Sequence, residues 1–235
     1  MTTPSILDQH HDACGKFPLI VEAISDIQRG IPIVITDSLE RENEGDLMIA
    51  AEKATPDLLS FFINSASGLM CLPVEKFILD RLEIPMSPTN NGDKFSTPFS
   101  VSIDARHDIT TGMSVLDRMK TISVLLDEKS TPSDITYPGH MFPLRSHPLL
   151  LNGRQGHTEA SIQLCKLAGC KPVAVISEIM TPDGTMAKLE DLFDYCSEWY
   201  FDSFYLKLRK PTRNSLSLIS IDELQEFLNI IQFND

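Results

Sequence analysis

The sequence is short of positive charge. It has 20 Lys and Arg residues against 33 Asp and Glu residues, which gives a formal net charge of -13. Proteins that bind nucleic acids present Lys and Arg to the phosphates, so this balance argues against DNA or RNA as a partner. An anionic substrate would need positive groups gathered at one place.

Long apolar runs and paired cysteines are also missing. No stretch of about 18 apolar residues occurs and no signal-peptide pattern begins the chain, so we expect no membrane partner and a cytoplasmic location. The five cysteines are scattered, without a CxxC pair, which favours free thiols over disulfides or zinc. The motifs GxSxG, GxxxxGK[ST], GxGxxG and HExxH are absent too, which removes the main support for four common enzyme classes.

What the 235 residues do contain is a mixture of helix and strand patterns, with no repeat and no obvious linker. We therefore expect one domain over residues 1–235, with a flexible tail at 1–15. Strands are predicted at 31–35, 47–51, 69–74, 99–104, 173–179 and 216–221. Helices are predicted at 19–27, 55–67, 114–127 and 158–168, and from Asp222 onward. Residues 85–98, rich in proline and asparagine, predict a mobile surface loop.

One predicted loop is strongly acidic. Residues 38–46, SLERENEGD, lie between two predicted strands and have a single positive charge, Arg41. They also carry four carboxylates: Glu40, Glu42, Glu44 and Asp46. Like charges at i and i+4 disfavour a helix here. The segment is either a solvated charge run or a site for a hard cation such as Mg²⁺ or Mn²⁺.

A second cluster lies at residues 153–162, GRQGHTEASI. Arg154, Gly156, His157 and Thr158 stand at a predicted helix start, where free N–H groups and the positive end of the helix dipole favour a phosphate. Taken singly, Thr158 predicts an N-cap and His157 a surface imidazole. Together the four residues predict an anion site.

Two further residues could carry proton transfer. His140 follows Pro138-Gly139, so we expect a turn to expose it as a general acid or base. Glu178 is the only charge in the apolar strand at 173–179. A carboxylate in that position must be paired, coordinated or placed at the strand end beside a cleft, because an unpaired buried charge is costly.

Five segments in the same order resemble 3,4-dihydroxy-2-butanone 4-phosphate synthase. They are DSLERENEGDLMIAAE (37–52), ITTGMSVLDRMKTI (109–122), PSDITYPGHMFPLR (132–145), GRQGHTEASIQLCKLAG (153–169) and EIMTPDGTMA (178–187). The resemblance runs from about residue 17 to about residue 195. It implies an α+β fold, with a mixed β-sheet flanked by helices, and a homodimer with active sites near the subunit interface. The chain is longer than the family pattern at about 200–213, which we interpret as an insertion.

The resemblance implies conversion of D-ribulose 5-phosphate to L-3,4-dihydroxy-2-butanone 4-phosphate and formate in riboflavin biosynthesis. It also implies a need for Mg²⁺ (or Mn²⁺), with two ions per active site when substrate is bound. Glu42 and His157 are expected to hold the metal. The expected substrate contacts are Arg41, Glu42, Asp46, Thr111, Arg154, Gln155, Gly156, His157, Thr158 and Glu178. Many members are fused to GTP cyclohydrolase II, whereas here we expect the synthase activity alone.

Enolisation next to a ketone needs a base and an acid, and a metal can stabilise the enediolate. We assign the proton transfers to Asp46, His140 and Glu178, and the residue that removes the first proton stays open. The acidic loop and residues 85–98 are predicted to close as lids. Two alternatives remain: a Mg²⁺-dependent phosphohydrolase, and an inactive homologue that serves as a binding module.

Overall fold

The computed structural model describes residues 11–88, 95–202 and 215–232. Its strands are β1 (Ile33–Thr36), β2 (Gly45–Ala50), β3 (Ser67–Val74), β4 (Ile103–Ala105), β5 (Ile135–Arg145), β6 (Ala174–Ile179) and β7 (Leu218–Ser220). Its helices are α1 (His11–Lys16), α2 (Pro18–Gln28), α3 (Pro56–Ser65), α4 (Lys76–Arg81), α5 (Val115–Leu126), α6 (His157–Leu167), α7 (Leu189–Asp202) and α8 (Ile221–Gln232).

The strands form one mixed sheet in the order β4-β5-β3-β6-β2-β1-β7. Pairs β3–β5 and β1–β7 are parallel, and the remaining neighbours are antiparallel. This order brings β2 beside β6, although the two strands are far apart in the sequence. The expected α+β fold with a mixed sheet is confirmed.

Both faces of the sheet are buried under helices. Alternate residues of a strand point to opposite faces, so Leu47 and Ile49 join one apolar cluster and Met48 and Ala50 join the other. The first cluster includes apolar residues of α3 and α5, and the second includes residues of α2, α6 and α8. Strands β1 and β2 are buried at every position, because helices cover both faces of the sheet there.

Several predicted boundaries were wrong. Residues 11–15, predicted as part of a flexible tail, belong to α1, which packs against α2. The strand predicted at 99–104 is reduced to β4, with only isolated bridges at Phe99 and Ser100 before it. Helix α8 begins one residue before Asp222, and the hydroxyl of Ser220, not Asp222, accepts the N–H of Glu223.

Other predictions fall partly outside the described residues. Residues 89–94 of the predicted surface loop, and most of the insertion predicted at 200–213, lie there, as do residues 1–10. Helix α7 runs to Asp202. Within the described ranges, the helices are all too short or too polar to span a lipid bilayer.

Candidate active site

The acidic loop is a tight structure held by Asp37, the residue that follows β1. Asp37 Oδ1 accepts the N–H of Glu44 at 2.9 Å, and Oδ2 accepts the N–H of Glu42 at 3.1 Å and Arg41 Nη1 at 2.6 Å. Burial alone would raise the pKa of Asp37, but these hydrogen bonds and the nearby His157 hold it below its usual range. The carboxylate therefore fixes the loop in one conformation.

Glu42 and His157 face each other across the loop and the start of α6. His157 Nδ1 lies 3.8 Å from Glu42 Oε2 and 4.0 Å from an oxygen of Asp46, and Arg41 also hydrogen-bonds Glu42. Burial lowers the pKa of His157, although Asp37 opposes this, so the neutral imidazole is favoured.

These residues fit a divalent cation. One ligand atom each from Asp37, Glu42 and His157 lie within 4.8 Å of one another, and His157 Nε2 is buried without a hydrogen-bond partner in the described chain. Two ligands of one octahedral Mg²⁺ stand about 3 to 4.2 Å apart, because each lies about 2.1 Å from the ion. The 3.8 Å distance between His157 Nδ1 and Glu42 Oε2 lies between these two values.

Asp46 and Glu178 form a pair of facing carboxylates. They are directly opposite in the β2–β6 register, where Cβ atoms lie about 4.5 to 5.5 Å apart. Burial and the neighbouring Glu42 raise the pKa of Asp46 to about 8, and burial and Asp46 raise the pKa of Glu178. Because both pKa values are raised, the pair can hold a proton and release it.

The N-terminus of α6, with its N–H groups and the nearby Arg154, adds positive charge beside these carboxylates. Gly156 is the N-cap, so the Thr158 N-cap considered from sequence is wrong, and Thr158 lies in the first turn. A Cβ on Gly156 would come within 2.2 Å of Arg154 Nη1, so a larger residue there would have to displace the guanidinium from its present position. Arg154 is held by the buried Glu159 at 2.8 Å and by the carbonyl of Phe95 at 3.3 Å.

One cavity gathers most of the predicted residues. It is lined by Arg41, Glu42, Glu44, Asp46, Leu69, Cys71, Thr97, Phe99, Leu144, Arg154, His157, Thr158, Ile176 and Glu178. Arg41 also stands 5.3 Å above the ring centre of Phe95, which lines a neighbouring cavity. Gln155 is exposed and lines a neighbouring cavity with Glu40 and Asp37. Glu40 is exposed, so the interpretation of the acidic segment as a solvated charge run is correct for this residue. It is wrong for Glu42 and Asp46, which line the cavity.

His140 lies elsewhere. It belongs to β5 rather than to an exposed turn, so that expectation was wrong, although its side chain is 44% exposed. Strands β5 and β6 are separated by β3, a distance of about 10 Å, and His140 lines a separate cavity of about 410 Å³. Leu69 lines both cavities.

Asp104 on β4 fixes His140. Its Oδ1 accepts the backbone N–H of His140 at 3.0 Å, and its Oδ2 lies 2.7 Å from His140 Nδ1. A carboxylate there keeps the proton on Nδ1 and leaves Nε2 free to exchange one. A Cβ on Gly112 would come within 2.1 Å of Asp104 and 2.6 Å of His140. Glycine is therefore required beside the pair. The predicted substrate contact Thr111 precedes it in the chain, is exposed and does not line the cavity of Asp46.

Sequence reasoning missed three residues. Asp37 carries a signal that could have been used, since it is a carboxylate at the end of a buried strand, just before the acidic loop. Asp104 has no local signal, because its partner lies on another strand. Cys71 was treated only as a free thiol, which it is, but it lines the cavity of Asp46.

Comparison with known proteins gives a consistent result. A family model described as 3,4-dihydroxy-2-butanone 4-phosphate synthase matches residues 21–206. The chain is 44% identical over 179 residues to the protein of that name from Neisseria meningitidis serogroup A. The matched region covers 76% of this chain and 49% of the relative. It thus spans about half the length of that relative. The Agrobacterium fabrum protein of the same name is 44% identical over 173 residues, 74% of this chain and 81% of the relative.

A solved structure shows the same fold. It is described as 3,4-dihydroxy-2-butanone 4-phosphate synthase in complex with two magnesium ions, and it superimposes with a TM-score of 0.80 at 32% sequence identity. The match covers 91% of this chain and 97% of that chain.

Proposed function

Because the chain belongs to the 3,4-dihydroxy-2-butanone 4-phosphate synthase family, we propose that it converts D-ribulose 5-phosphate to L-3,4-dihydroxy-2-butanone 4-phosphate and formate in riboflavin biosynthesis. The observation that carries the proposal is one cavity with a facing carboxylate pair, a buried neutral histidine and the N-terminus of a helix. Such a cavity can bind a sugar phosphate at one end and move protons at the other.

The substrate is bound from two sides. Arg154, Thr158 and the free N–H groups at the start of α6 face the phosphate, and the buried Glu159 keeps Arg154 in place. Arg41, fixed by Asp37 and stacked on Phe95, faces the sugar oxygens. Because most of these groups are held by neighbours before substrate arrives, little ordering remains to be done on binding.

Glu42 and His157 hold Mg²⁺ (or Mn²⁺), and two ions take part when substrate is bound. The neutral buried imidazole and the adjacent carboxylates support this assignment, as does the magnesium complex of the related structure. When bound, the metal supplies Lewis acidity that stabilises negative charge on neighbouring substrate oxygens.

Asp46 and Glu178 exchange protons with the substrate, because one member of the pair can stay protonated while the other is ionised. His140, with Nε2 free for proton exchange, is the third acid or base. Thr97 and Phe99, from the segment that begins at residue 95, line the cavity and help to exclude water from the reactive intermediates.

The protein acts as a homodimer in the cytoplasm. Three exposed apolar side chains, Ile63, Leu69 and Met113, surround the cavity of His140 at 42%, 43% and 56% exposure. A contiguous apolar surface of this kind favours association. A second copy seated there would bring further groups to the catalytic cavity, which adjoins this surface at Leu69.

Purified protein incubated with D-ribulose 5-phosphate, with and without Mg²⁺, tests the proposal when both formate and inorganic phosphate are assayed. We expect formate that depends on Mg²⁺ and no free phosphate. Free phosphate without formate would support the phosphohydrolase alternative, and neither product would support an inactive binding module.

A further inference from the structure

Arg118 on α5 is a buried arginine that has no carboxylate partner within the described residues. Only 9% of it is exposed. Its Nε donates to the carbonyl of Met113 at 3.0 Å, Nη1 lies 3.6 Å from the sulfur of Met70, and Nη2 lies 3.2 Å from the sulfur of Met113. Thioether sulfur is a weak acceptor. The buried guanidinium has therefore lost its hydrogen bonds to water and has gained one strong hydrogen bond, to the carbonyl of Met113.

Among the described residues, no carboxylate oxygen lies within 4.0 Å of this guanidinium. Asp104 is the negative group that acts on Arg118 electrostatically, and both of its oxygens already bond His140. An arginine side chain has five N–H groups. Three of them make the contacts with Met113 and Met70, and within the described residues the other two have no acceptor. A buried cation with spare donors is costly to the fold unless something negative binds it.

The cavity of about 410 Å³ offers the space for such a ligand. Arg118 and His140 both line it, along with Ser67 and Ser177, and its other walls are largely apolar. Leu69 separates it from the cavity that holds Glu178. A small anion released at the carboxylate pair would therefore find a positive group one cavity away.

We propose that Arg118 forms a carboxylate-binding subsite in the His140 cavity and that its ligand is formate, the small product of the reaction. The choice of formate rests on the proposed function. A planar carboxylate matches the flat fork of a guanidinium with two parallel hydrogen bonds, and the low-dielectric apolar walls strengthen them. The substrate phosphate already has a place at the start of α6, so Arg118 is left for the second, smaller anion.

The test measures formate binding directly, without turnover. Sodium formate is titrated into the full-length protein, with sodium chloride at equal ionic strength as the reference, and followed by calorimetry and by the thermal unfolding midpoint. The variants are Arg118→Met and Arg118→Lys. Arg106→Met is the matched control, because Arg106 is an exposed arginine whose side chain donates to the backbone carbonyls of Ser133 and Ile135.

We expect wild type and Arg106→Met to bind formate and to unfold at a higher temperature with it. Arg118→Met should bind formate at least about tenfold more weakly, because a bidentate charged pair is lost. Arg118→Lys should fall between them. Without formate, Arg118→Met should be at least as stable as wild type, because an unpaired buried charge has been replaced by an apolar chain of similar length.

Equal formate binding by Arg118→Met and wild type would overturn the proposal. A change of Arg118→Met from dimer to monomer would also overturn it, since the partner of Arg118 would then be a carboxylate of the second copy. Displacement of formate from this site by inorganic phosphate would overturn it as well. The turnover assay is separate: no formate from ribulose 5-phosphate in wild type would reject the proposed function, while the binding data would still decide the subsite.

Discussion

At the scale of single residues, the structure separates His140 from the residues that bind the metal. Glu42 and His157 lie 3.8 Å apart in one cavity, and His140 lies in another. We predict that Glu42→Gln and His157→Ala each abolish activity by weakening Mg²⁺ binding, whereas His140→Ala abolishes activity with Mg²⁺ affinity nearly unchanged. Metal titration by calorimetry, beside formate assays, checks this. Equal loss of Mg²⁺ binding in all three variants would contradict the assigned roles.

Asp104 is a positioning residue for His140. We predict that Asp104→Asn lowers kcat about 10²-fold or more, because an amide no longer holds the proton on Nδ1 in the required tautomer. KM for ribulose 5-phosphate and the Mg²⁺ affinity should change little, since Asp104 is outside the metal cavity. Asp108→Asn, an exposed neighbour that pairs with Lys120, is the control. A merely structural Asp104 would instead lower the unfolding temperature and leave kcat of the folded fraction intact.

At the scale of elements, two loops meet over the catalytic cavity. Arg41 of the acidic loop stacks on Phe95, and Arg154 donates to the carbonyl of Phe95. We predict that ribulose 5-phosphate with Mg²⁺ slows proteolysis within residues 37–45 and 95–98, because contacts with the bound ligand make local opening of both segments rarer. Limited proteolysis followed by mass spectrometry measures this. Phe95→Ala should reduce the protection, and unchanged cleavage of wild type with ligand would refute the lid role.

The loop before α5 is fixed by Asp117. Its carboxylate accepts the hydroxyl and the N–H of Thr110, at 2.7 and 2.9 Å, and the N–H of Gly112 at 3.1 Å. These hydrogen bonds hold the pKa of Asp117 well below its usual range. A lowered folded-state pKa contributes stability that is present above the unfolded pKa of about 3.9 and is lost as pH falls through the folded value.

We therefore predict that Asp117→Asn unfolds at a lower temperature than wild type at pH 7, and that the difference narrows as pH falls below about 4. Thermal unfolding over a pH series measures it. Asp108→Asn should show little effect at any pH, because its ion pair with Lys120 is exposed to solvent. A difference that stays constant down to low pH would rule out the charge of Asp117 as the cause.

At the scale of the whole molecule, the proposed dimer can be tested at its expected interface. The apolar side chains of Ile63, Leu69 and Met113 stand around the His140 cavity. We predict that Ile63→Glu converts a dimer to a monomer and lowers activity, because a charge in an apolar interface is costly to desolvate. Analytical ultracentrifugation measures the change. Phe77→Glu, an exposed apolar residue on α4 outside that cavity, should remain dimeric.

The sequence predicted most of the elements, because their signals are local. Helix α5 begins after Ser114, whose hydroxyl accepts the N–H of Asp117, as its capping pattern indicated. Thr55 caps α3 in the same way. Strand β4 was overestimated because the alternation at 99–104 is also compatible with an extended edge segment that makes only isolated bridges.

The sequence by itself determined which residues have the chemistry for a site: the carboxylates of the acidic loop, Glu178, and the cluster at the start of α6. Only the tertiary structure decided their partners. The sheet order places Asp46 opposite Glu178 and pairs Asp104 with His140. Helix packing buries Arg118 with no carboxylate partner among the described residues. The physical reason is that capping, turns and periodicity act over a few residues, whereas a pKa shift or a buried charge depends on neighbours brought together by the packing of distant strands.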